Sequence, residues 1–410
     1  MAPFSTEVYA ERRGRLGDRM TEQGVDLMFV PPSADLEYFT GAQRRMPTFG
    51  NTSYTHGWAC GAFFRPGHEP LFVLPRMVAE FDMPQGVPGD VVIINETDDG
   101  DAVFEQVVKG FGRLGKVSVE QRTWADAVLA LTKYSGGAEI VSATPLTNPL
   151  RRVKSDEEIH LMQRACRIAD NAMGVVTGDI ADGAVERDLV EELDGLLHGD
   201  GSRGTSFDTA VWGMGKSSNR DASDRETSSK LNRGTAVSFD FGAIVDGYCS
   251  DFGRTIAIGE PDSEYVDVYD TVIAAQAAGI AATRPGAMAK DVDSACRQVI
   301  VDAGYGDHFR HRTGHCIGLD VHEYPFISEE DETRLEPGMT FTIEPSIFWP
   351  GRVGVRIEDI IVVSETGGVR LNEYSEEMVV VDASPSAFSD SGDGEPGGCI
   401  HHDGCGHDIS

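Results

Sequence analysis

The sequence predicts an α/β chain, with α+β character in its second part, built as two domains. Three observations predict it. At 410 residues the chain exceeds what one core normally serves, since roughly 100–200 residues make a domain. Strand-like and helix-like pieces alternate through the first third, and after residue 150 a run of two helices followed by strands occurs twice. Hydrophobic content of 40% and charged content of 25% are those of an ordinary globular protein.

In the first third, Val8, Leu16 and Met20 fall at loosely helical spacing over residues 5–23. The run from Val25 to Val30 then reads as a buried strand ended by Pro31 and Pro32. Further strands are expected at 59–64, 71–74, 91–94 and 117–119, with a helix over 102–110. No nucleotide fingerprint opens a helix here, so this part is expected to be architectural. A boundary is expected at Pro145 to Pro149, where two prolines break any regular element. Ser155 and Glu158 form a capping-box pattern that starts a long helix through Met173, and a second helix follows over 185–197. Strands are expected between 206 and 259, helices over 265–283 and 291–303, and strands again at 340–343, 353–363 and 378–381. The expected domains are therefore 1–148 and 149–382, with a Ser/Gly/Asp-rich disordered tail at 383–410.

The charge balance excludes several functions. With 67 acidic and 35 basic side chains the net charge is -32, which repels nucleic-acid backbones. Only seven lysines occur, so the cations are nearly all arginine, a pattern that suggests a halophile with a carboxylate-rich surface. No stretch approaches the ~18 apolar residues of a membrane span. Seven scattered cysteines without a paired framework, and no apolar leader in residues 1–13, point to a reduced cytoplasm.

Chemistry concentrates in five potential metal ligands: Asp240, Asp251, His315, Glu344 and Glu358. Asp240, Glu344 and Glu358 sit inside apolar runs, where an unpaired charge costs several kcal/mol, so a cation is expected beside them. Four carboxylates and a neutral imidazole balance two divalent ions in charge. Oxygen-rich coordination favours Mn²⁺, Co²⁺ or Fe²⁺ over a sulfur-rich zinc site. Two such ions about 3.5–4 Å apart suit hydrolysis, because they activate a shared water and clamp the oxyanion that forms.

These residues lie in segments that resemble the motifs of the pita-bread metallopeptidases, the family of methionine aminopeptidase, aminopeptidase P, prolidase and creatinase. The matching segments are Asp240-Phe-Gly-Ala, Cys249-Ser-Asp251, Gly314-His-Cys-Ile-Gly-Leu, Ile343-Glu-Pro and Val355-Arg-Ile-Glu-Asp359. The likeness covers roughly residues 150–382, and residues 1–148 look like the N-terminal domain of the proline-specific and creatinase branches. It implies a pita-bread domain with pseudo-twofold αβ repeats. It also implies that Asp251 and Glu358 bridge two ions, with Asp240 on one and His315 and Glu344 on the other. Further implied roles are Glu344 as proton shuttle, His322 at the tetrahedral intermediate, His311 beside the residue after the scissile bond, and Arg356 orienting a ligand carboxylate. The expected cofactors are two divalent ions, Mn²⁺ or Co²⁺ foremost, then Fe²⁺ or Zn²⁺. The expected substrate is a short Xaa-Pro peptide or a small amide, acted on by a homodimer.

One departure distinguishes the chain. The proline-specific peptidases carry a further cleft histidine before the first aspartate ligand, whereas no histidine occurs here between His198 and His308. Asn219 is the expected substitute as a substrate contact, and an amide cannot exchange a proton near neutral pH. That difference favours a rival of the creatinase or ectoine hydrolase type. A dimethylsulfoniopropionate lyase ranks lower, since Gly242 stands where that branch has an aspartate. A non-catalytic binding protein ranks lower still, because all five ligand positions are kept. Residues 210–217 resemble a phosphate-binding loop, but Ala210 replaces its first glycine and a polar loop follows. Cys399, His401, His402, Cys405 and His407 would make at most an adventitious zinc site in the tail.

Overall fold

A computed structural model describes residues 2–44, 54–199, 201–216, 219–223 and 228–381. The tail with Cys399 to His407 and the expected disordered segment 383–410 lie outside the described residues.

The first half is a six-stranded sheet with helices packed on it. Its spatial order is Asp90–Ile94, Leu71–Pro75, Gly61–Phe64, Leu27–Val30, Lys116–Val119 and Glu139–Ser142. Leu27–Val30 lies at the centre because every one of its side chains is apolar and buried, so it tolerates packing on both faces. It pairs antiparallel with Gly61–Phe64 and parallel with Lys116–Val119, which makes the sheet mixed. Thr6–Glu22 buries Tyr9, Leu16 and Met20 along one stripe.

The second half opens with the helix Asp156–Val176, started as expected by reciprocal bonds between Ser155 and Glu158. Glu186–Leu197 follows, then a four-stranded sheet ordered Val379–Val381, Phe252–Ile258, Thr235–Phe241 and Ala210–Gly215. A second helix pair, Ser263–Ala282 and Ala289–Asp302, precedes a five-stranded sheet. Its order is Glu323–Ile327, Gly314–Cys316, Thr340–Ile343, Asp359–Val363 and Gly368–Arg370. The alternation of helix pair and sheet therefore occurs twice, and the mixed helix and strand content is that of an α/β fold. Among the described residues no helix is long and apolar enough to cross a membrane.

Two expectations change. Pro145 and Pro149 do not break the chain but lie within a helix, Thr144–Arg151. Pro145 occupies the first turn, where no N–H is needed. The carbonyl of Pro145, which Pro149 cannot serve, accepts from Arg19 Nη2 at 2.9 Å. The expected strand over 353–363 is two strands, Val353–Arg356 in a hairpin with Ser346–Trp349 and Asp359–Val363 in the larger sheet. The chain changes sheets at Ile357 and Glu358, and that break sets Glu358 between them.

The halves are joined by buried ion pairs. Arg151 reaches Asp35 at 2.6 Å, Asp320 at 2.9 Å, and Glu323, which Lys154 also contacts at 3.0 Å. Arg44 and Arg122 bind Asp320 at 2.8 and 2.7 Å. Asp320 and Glu323 flank His322, so charges from the first half fix a loop of the second. Removing one partner of such a pair costs about 3–5 kcal/mol, because the other charge is left buried.

Glu120 borders this network, and its carboxylate accepts from the Arg122 N–H at 2.6 Å. Burial, reinforced by the Asp35 charge, pushes its carboxyl up to about 7. A raised carboxyl stabilises the fold below the ordinary glutamate range and loses that contribution as pH rises through about 7. Glu120→Gln should therefore gain stability relative to the unmodified chain, by on the order of 3 kcal/mol, between pH 5 and 8.5. Urea unfolding at both pH values checks this; parallel curves would refute it.

Candidate metal centre

A cavity of about 240 Å³ opens where the two sheets of the second half meet. Asp240, Asp251, His311, His315, His322, Glu344, Arg356 and Glu358 line it, together with Phe207, Arg312 and Val321. Every one of the eight residues expected from the sequence to act here, Asn219 apart, is in this lining.

Each is placed by backbone. Asp240 lies on the strand Thr235–Phe241, opposite Gly253. Asp251 directly precedes Phe252–Ile258, after the short hairpin that ends at Cys249. His315 lies on Gly314–Cys316, and Glu344 follows Thr340–Ile343, its N–H donating to the Thr313 carbonyl at 2.8 Å. Glu358 is held by an isolated bridge, its N–H donating to the Gly253 carbonyl at 2.9 Å. Gly253 gives these side chains room: a Cβ there would lie 3.0 Å from the Cβ and Oε2 of Glu358 and from Cδ of Arg356, so they would have to shift.

Residues that sequence reasoning missed hold this bridge from behind. Arg254, buried, donates Nη1 to the carbonyls of Gly253 at 2.8 Å and Glu358 at 2.7 Å, and Nη2 to Asp359 at 2.7 Å. Gln276, from the helix Ser263–Ala282, donates Nε2 to Asp359 at 3.0 Å and to the Ile343 carbonyl at 3.2 Å. One amide thus ties the strand that leads to Glu344 to the segment that carries Glu358. The sequence signal for Gln276 was a polar residue within the apolar second half of its helix, residues 272–282. Phe207, Arg312 and Val321 carried no signal of their own beyond adjacency to motifs.

The electrostatics are dominated by carboxylates. Arg356 contacts three of them: Nη1 reaches Asp240 at 2.5 Å and Glu358 at 3.8 Å, and Nη2 reaches Glu344 at 3.5 Å. Its Nε donates to Ser346 Oγ at 3.1 Å. This single guanidinium is outnumbered. Burial and the charges of Asp251, Glu344 and Asp240 push the Glu358 carboxyl well above the usual range, and burial raises Asp251 too. Among the described residues, Asp251 Oδ1 and Glu358 Oε2 are buried without any hydrogen-bond partner.

His315 Nε2 stands 3.4 Å from Asp251 and 3.5 Å from Glu344, while Nδ1 is 3.2 Å from the Cys316 carbonyl. A carbonyl can only accept, so Nδ1 carries a hydrogen; the facing carboxylates raise the imidazole above its ordinary value, and a bound cation would instead take the Nε2 lone pair. Ligand atoms of Asp251, His315 and Glu358 all lie within 4.8 Å of one another. Two unpartnered carboxylate oxygens, a surplus of negative charge and an inward imidazole nitrogen fit a divalent cation, whose charge would relieve what Arg356 leaves uncompensated.

His311 packs against Phe309 and Phe348, with Nδ1 2.6 Å from the Arg312 carbonyl and Nε2 buried and unpartnered. Burial, then the nearby Arg356 charge, lowers its imidazole to about 4. His322 is solvent-facing, its ring 4.1 Å from that of His315. Asn219 is the exception to the expected set. It is exposed and set against Gly351 at the tip of the Ser346–Trp349 hairpin, away from the cavity lining. Its neighbours explain this: Arg220 is drawn to the buried Glu186, and Asp221 to Arg310.

Fold and cavity together define a two-domain enzyme of the metal-dependent hydrolase class. Comparison with known proteins sharpens this. Residues 160–365 match metallopeptidase family M24, and residues 12–153 match the creatinase/prolidase N-terminal domain. The chain is 32% identical over 371 residues to a Xaa-Pro dipeptidase of Pyrococcus furiosus, covering 90% of this chain and 99% of that one. Among solved structures, a prolidase from Thermococcus sibiricus superposes with a TM-score of 0.83 at 27% identity, covering 91% and 99% of the two chains. Dipeptidase PepE from Mycobacterium ulcerans gives 0.79 at 31% identity, covering 92% and 99%. The chain belongs to metallopeptidase family M24 and is a metallopeptidase with a creatinase-type N-terminal domain.

Metal binding should stabilise the fold by mass action. Adding Mn²⁺ to chelator-treated protein should raise the unfolding midpoint, with about 2.7 kcal/mol gained at a hundredfold excess over Kd. Calorimetric scans read this directly. A midpoint indifferent to Mn²⁺, Co²⁺, Fe²⁺ and Zn²⁺ would show that the cavity holds no ion.

Proposed function

We propose that the chain hydrolyses the amide bond before proline in short peptides, using two divalent ions held by Asp240, Asp251, His315, Glu344 and Glu358. The observation that carries this reading is the convergence of four carboxylates and His315 on one cavity in which Asp251 and Glu358 keep unpartnered oxygens. Relatives named Xaa-Pro dipeptidase and prolidase supply the proline specificity. Mn²⁺ or Co²⁺ is the proposed ion pair, with Fe²⁺ or Zn²⁺ as substitutes, because the donors are mostly oxygen. When bound, such ions polarise the scissile carbonyl and lower the pKa of the attacking water.

The protein's own groups do the rest. Glu344 takes the proton of the attacking water on its carboxylate, while Arg356 and the Thr342 hydroxyl, 3.3 Å from Oε1, fix its orientation. His322, at the open side, donates to the oxyanion as the carbonyl becomes tetrahedral. His311, neutral at pH 7, offers its unpartnered Nε2 to the residue after the scissile bond. Arg356 orients the Asp240 carboxylate for metal binding through a charged hydrogen bond. The domain division at residue 148, a homodimeric state and a cytoplasmic setting belong to the same proposal and rest on the resemblance and the sequence.

Asp251→Ala and Glu358→Ala should each lose bound metal and at least ~1,000-fold in kcat/KM on Xaa-Pro peptides while remaining folded. Metal analysis and a panel of Xaa-Pro dipeptides, longer Xaa-Pro peptides, creatine and ectoine test this. Full activity in a metal-free variant, or turnover of creatine or ectoine without any peptide, would overturn it.

A further inference from the structure

The segment that delivers His311 to the cavity belongs to no helix or strand: residues 309–313 lie between the short turn Gly306–His308 and the strand Gly314–Cys316. Its backbone groups must find their partners elsewhere. Two side chains of the helix Ala289–Asp302 supply them. Arg297 donates Nη2 to the His311 carbonyl at 3.1 Å and Nη1 to the Phe309 carbonyl at 3.5 Å. Asp293 Oδ1 accepts from the Thr313 N–H at 2.9 Å. One helix thus grips the segment on both sides of His311 and at His311 itself.

The two gripping side chains are also bound to each other. Arg297 donates Nε to Asp293 Oδ2 at 2.9 Å and Nη2 to Oδ1 at 3.1 Å, a two-pronged pair that fixes the guanidinium plane. Asp293 is fully buried beside Val292, Cys296 and Ile300, where a carboxylate is costly unless it is paired. Helix stability alone does not require that burial, since an i,i+4 pair works on the solvent face. At the outer end of the segment Arg310 pairs with Asp221, but that contact is exposed and correspondingly weak. The ring of His311 is reached by the Arg297 guanidinium as well. Arg297 stacks on the Phe309 ring, 4.4 Å from its centroid, and Phe309 meets the His311 ring edge-on at 5.2 Å. Arg297 therefore holds His311 by its carbonyl and, through Phe309, by its ring.

We infer that Arg297, locked by Asp293, is the positioning residue for His311 and sets where its Nε2 stands in the cavity. This rests on the role given to His311 in the proposed reaction. Neither Arg297 nor Asp293 lines the cavity, so both act through His311 and not on the substrate. Misplacing a reacting or contacting group by about 1 Å can cost ~100-fold in rate, so releasing the His311 carbonyl should be felt in turnover while the metal ligands stay in place.

The test is a double-mutant cycle on the full-length, metal-loaded protein, with Ala-Pro as substrate and bound metal measured for every variant. Arg297→Gln should keep its metal and lose ~10–100-fold in kcat/KM, divided between kcat and KM as the loss in His311→Ala is divided. Arg297→Lys should recover part of the loss, since an ammonium can still reach one carbonyl. Added to His311→Ala, Arg297→Gln should cost no more than about a further threefold, because the group it positions is gone. Losses that multiply in the double variant overturn the inference. So does an Arg297→Gln enzyme that is fully active or that has lost its metal. Asp293→Asn, which keeps an acceptor for the Thr313 N–H, carries the same cycle if Arg297→Gln does not fold. If no peptide is cleaved, the hydrolysis reading fails separately, and NMR of the zinc-loaded, ¹³C-histidine-labelled protein decides for Arg297. The His311 ring resonance, identified by its absence from His311→Ala, should shift in Arg297→Gln and move back in Arg297→Lys; a resonance unmoved by Arg297→Gln overturns the positioning role.

Discussion

Four carboxylates brought together out of water are the constraint around which the second half of this protein is organised. At an effective dielectric of about 20, two unit charges 4 Å apart repel by roughly 4 kcal/mol, and Asp240, Asp251, Glu344 and Glu358 share one cavity. The fold meets this repulsion from two sides. Arg356 places one guanidinium among them, and Arg254 and Gln276 clamp the backbone behind, so that the carboxylates cannot swing apart to relieve it. What remains uncompensated is the driving force for binding cations. The same cluster that weakens the metal-free fold is thereby a preorganised site, because its ordering is done before any ion binds.

The first half takes part through charge as well as packing. Buried apolar contact is continuous from Leu16 and Phe64 in the first half to Met162 and Phe241 in the second. Onto it are added ion pairs from Arg44, Arg122 and Arg151 to Asp320 and Glu323. These grip the loop that holds His322 from both flanks. A larger cavity of about 340 Å³, lined by Arg44, Arg122, Phe207 and His322 among others, continues from the reactive one toward this interface. The walls of this larger cavity are therefore drawn from both halves, whereas the carboxylates and histidines of the reactive one come from the second alone.

Much was legible because certain physical signals are local. Ser155 and Glu158 lie three apart, and the helix they start is where that spacing puts it. A charged residue inside an apolar run, as at Asp240 or Glu344, signals a buried partner whatever the fold. Other features were not legible because they depend on where strands end. The β-branched stretch over 353–363 looks like one strand, yet a change of sheet at Ile357 is what aims Glu358 at Gly253. Pro149 looks like a helix breaker, yet Arg19, 126 residues from Pro145, supplies the bond that the proline cannot. Asn219 looked like a substrate contact by its place in the chain, but ion pairs of the two residues that follow it accompany its position at a hairpin tip.

The sequence by itself determined the kinds of group in the cavity: oxygen-rich donors, one imidazole among them, and histidines nearby. Residue chemistry is local, so the motifs were enough to state it. Only the tertiary structure decided which cations are already spent. Arg356, Arg310 and Arg312 are equivalent as letters, but the first two meet carboxylates across the fold and, among the described residues, the third meets the face of Phe326 and no carboxylate. Pairing depends on distances between segments far apart in the chain, with 116 positions separating Arg356 from Asp240 and 89 separating Arg310 from Asp221. No reading of neighbours along the sequence contains them.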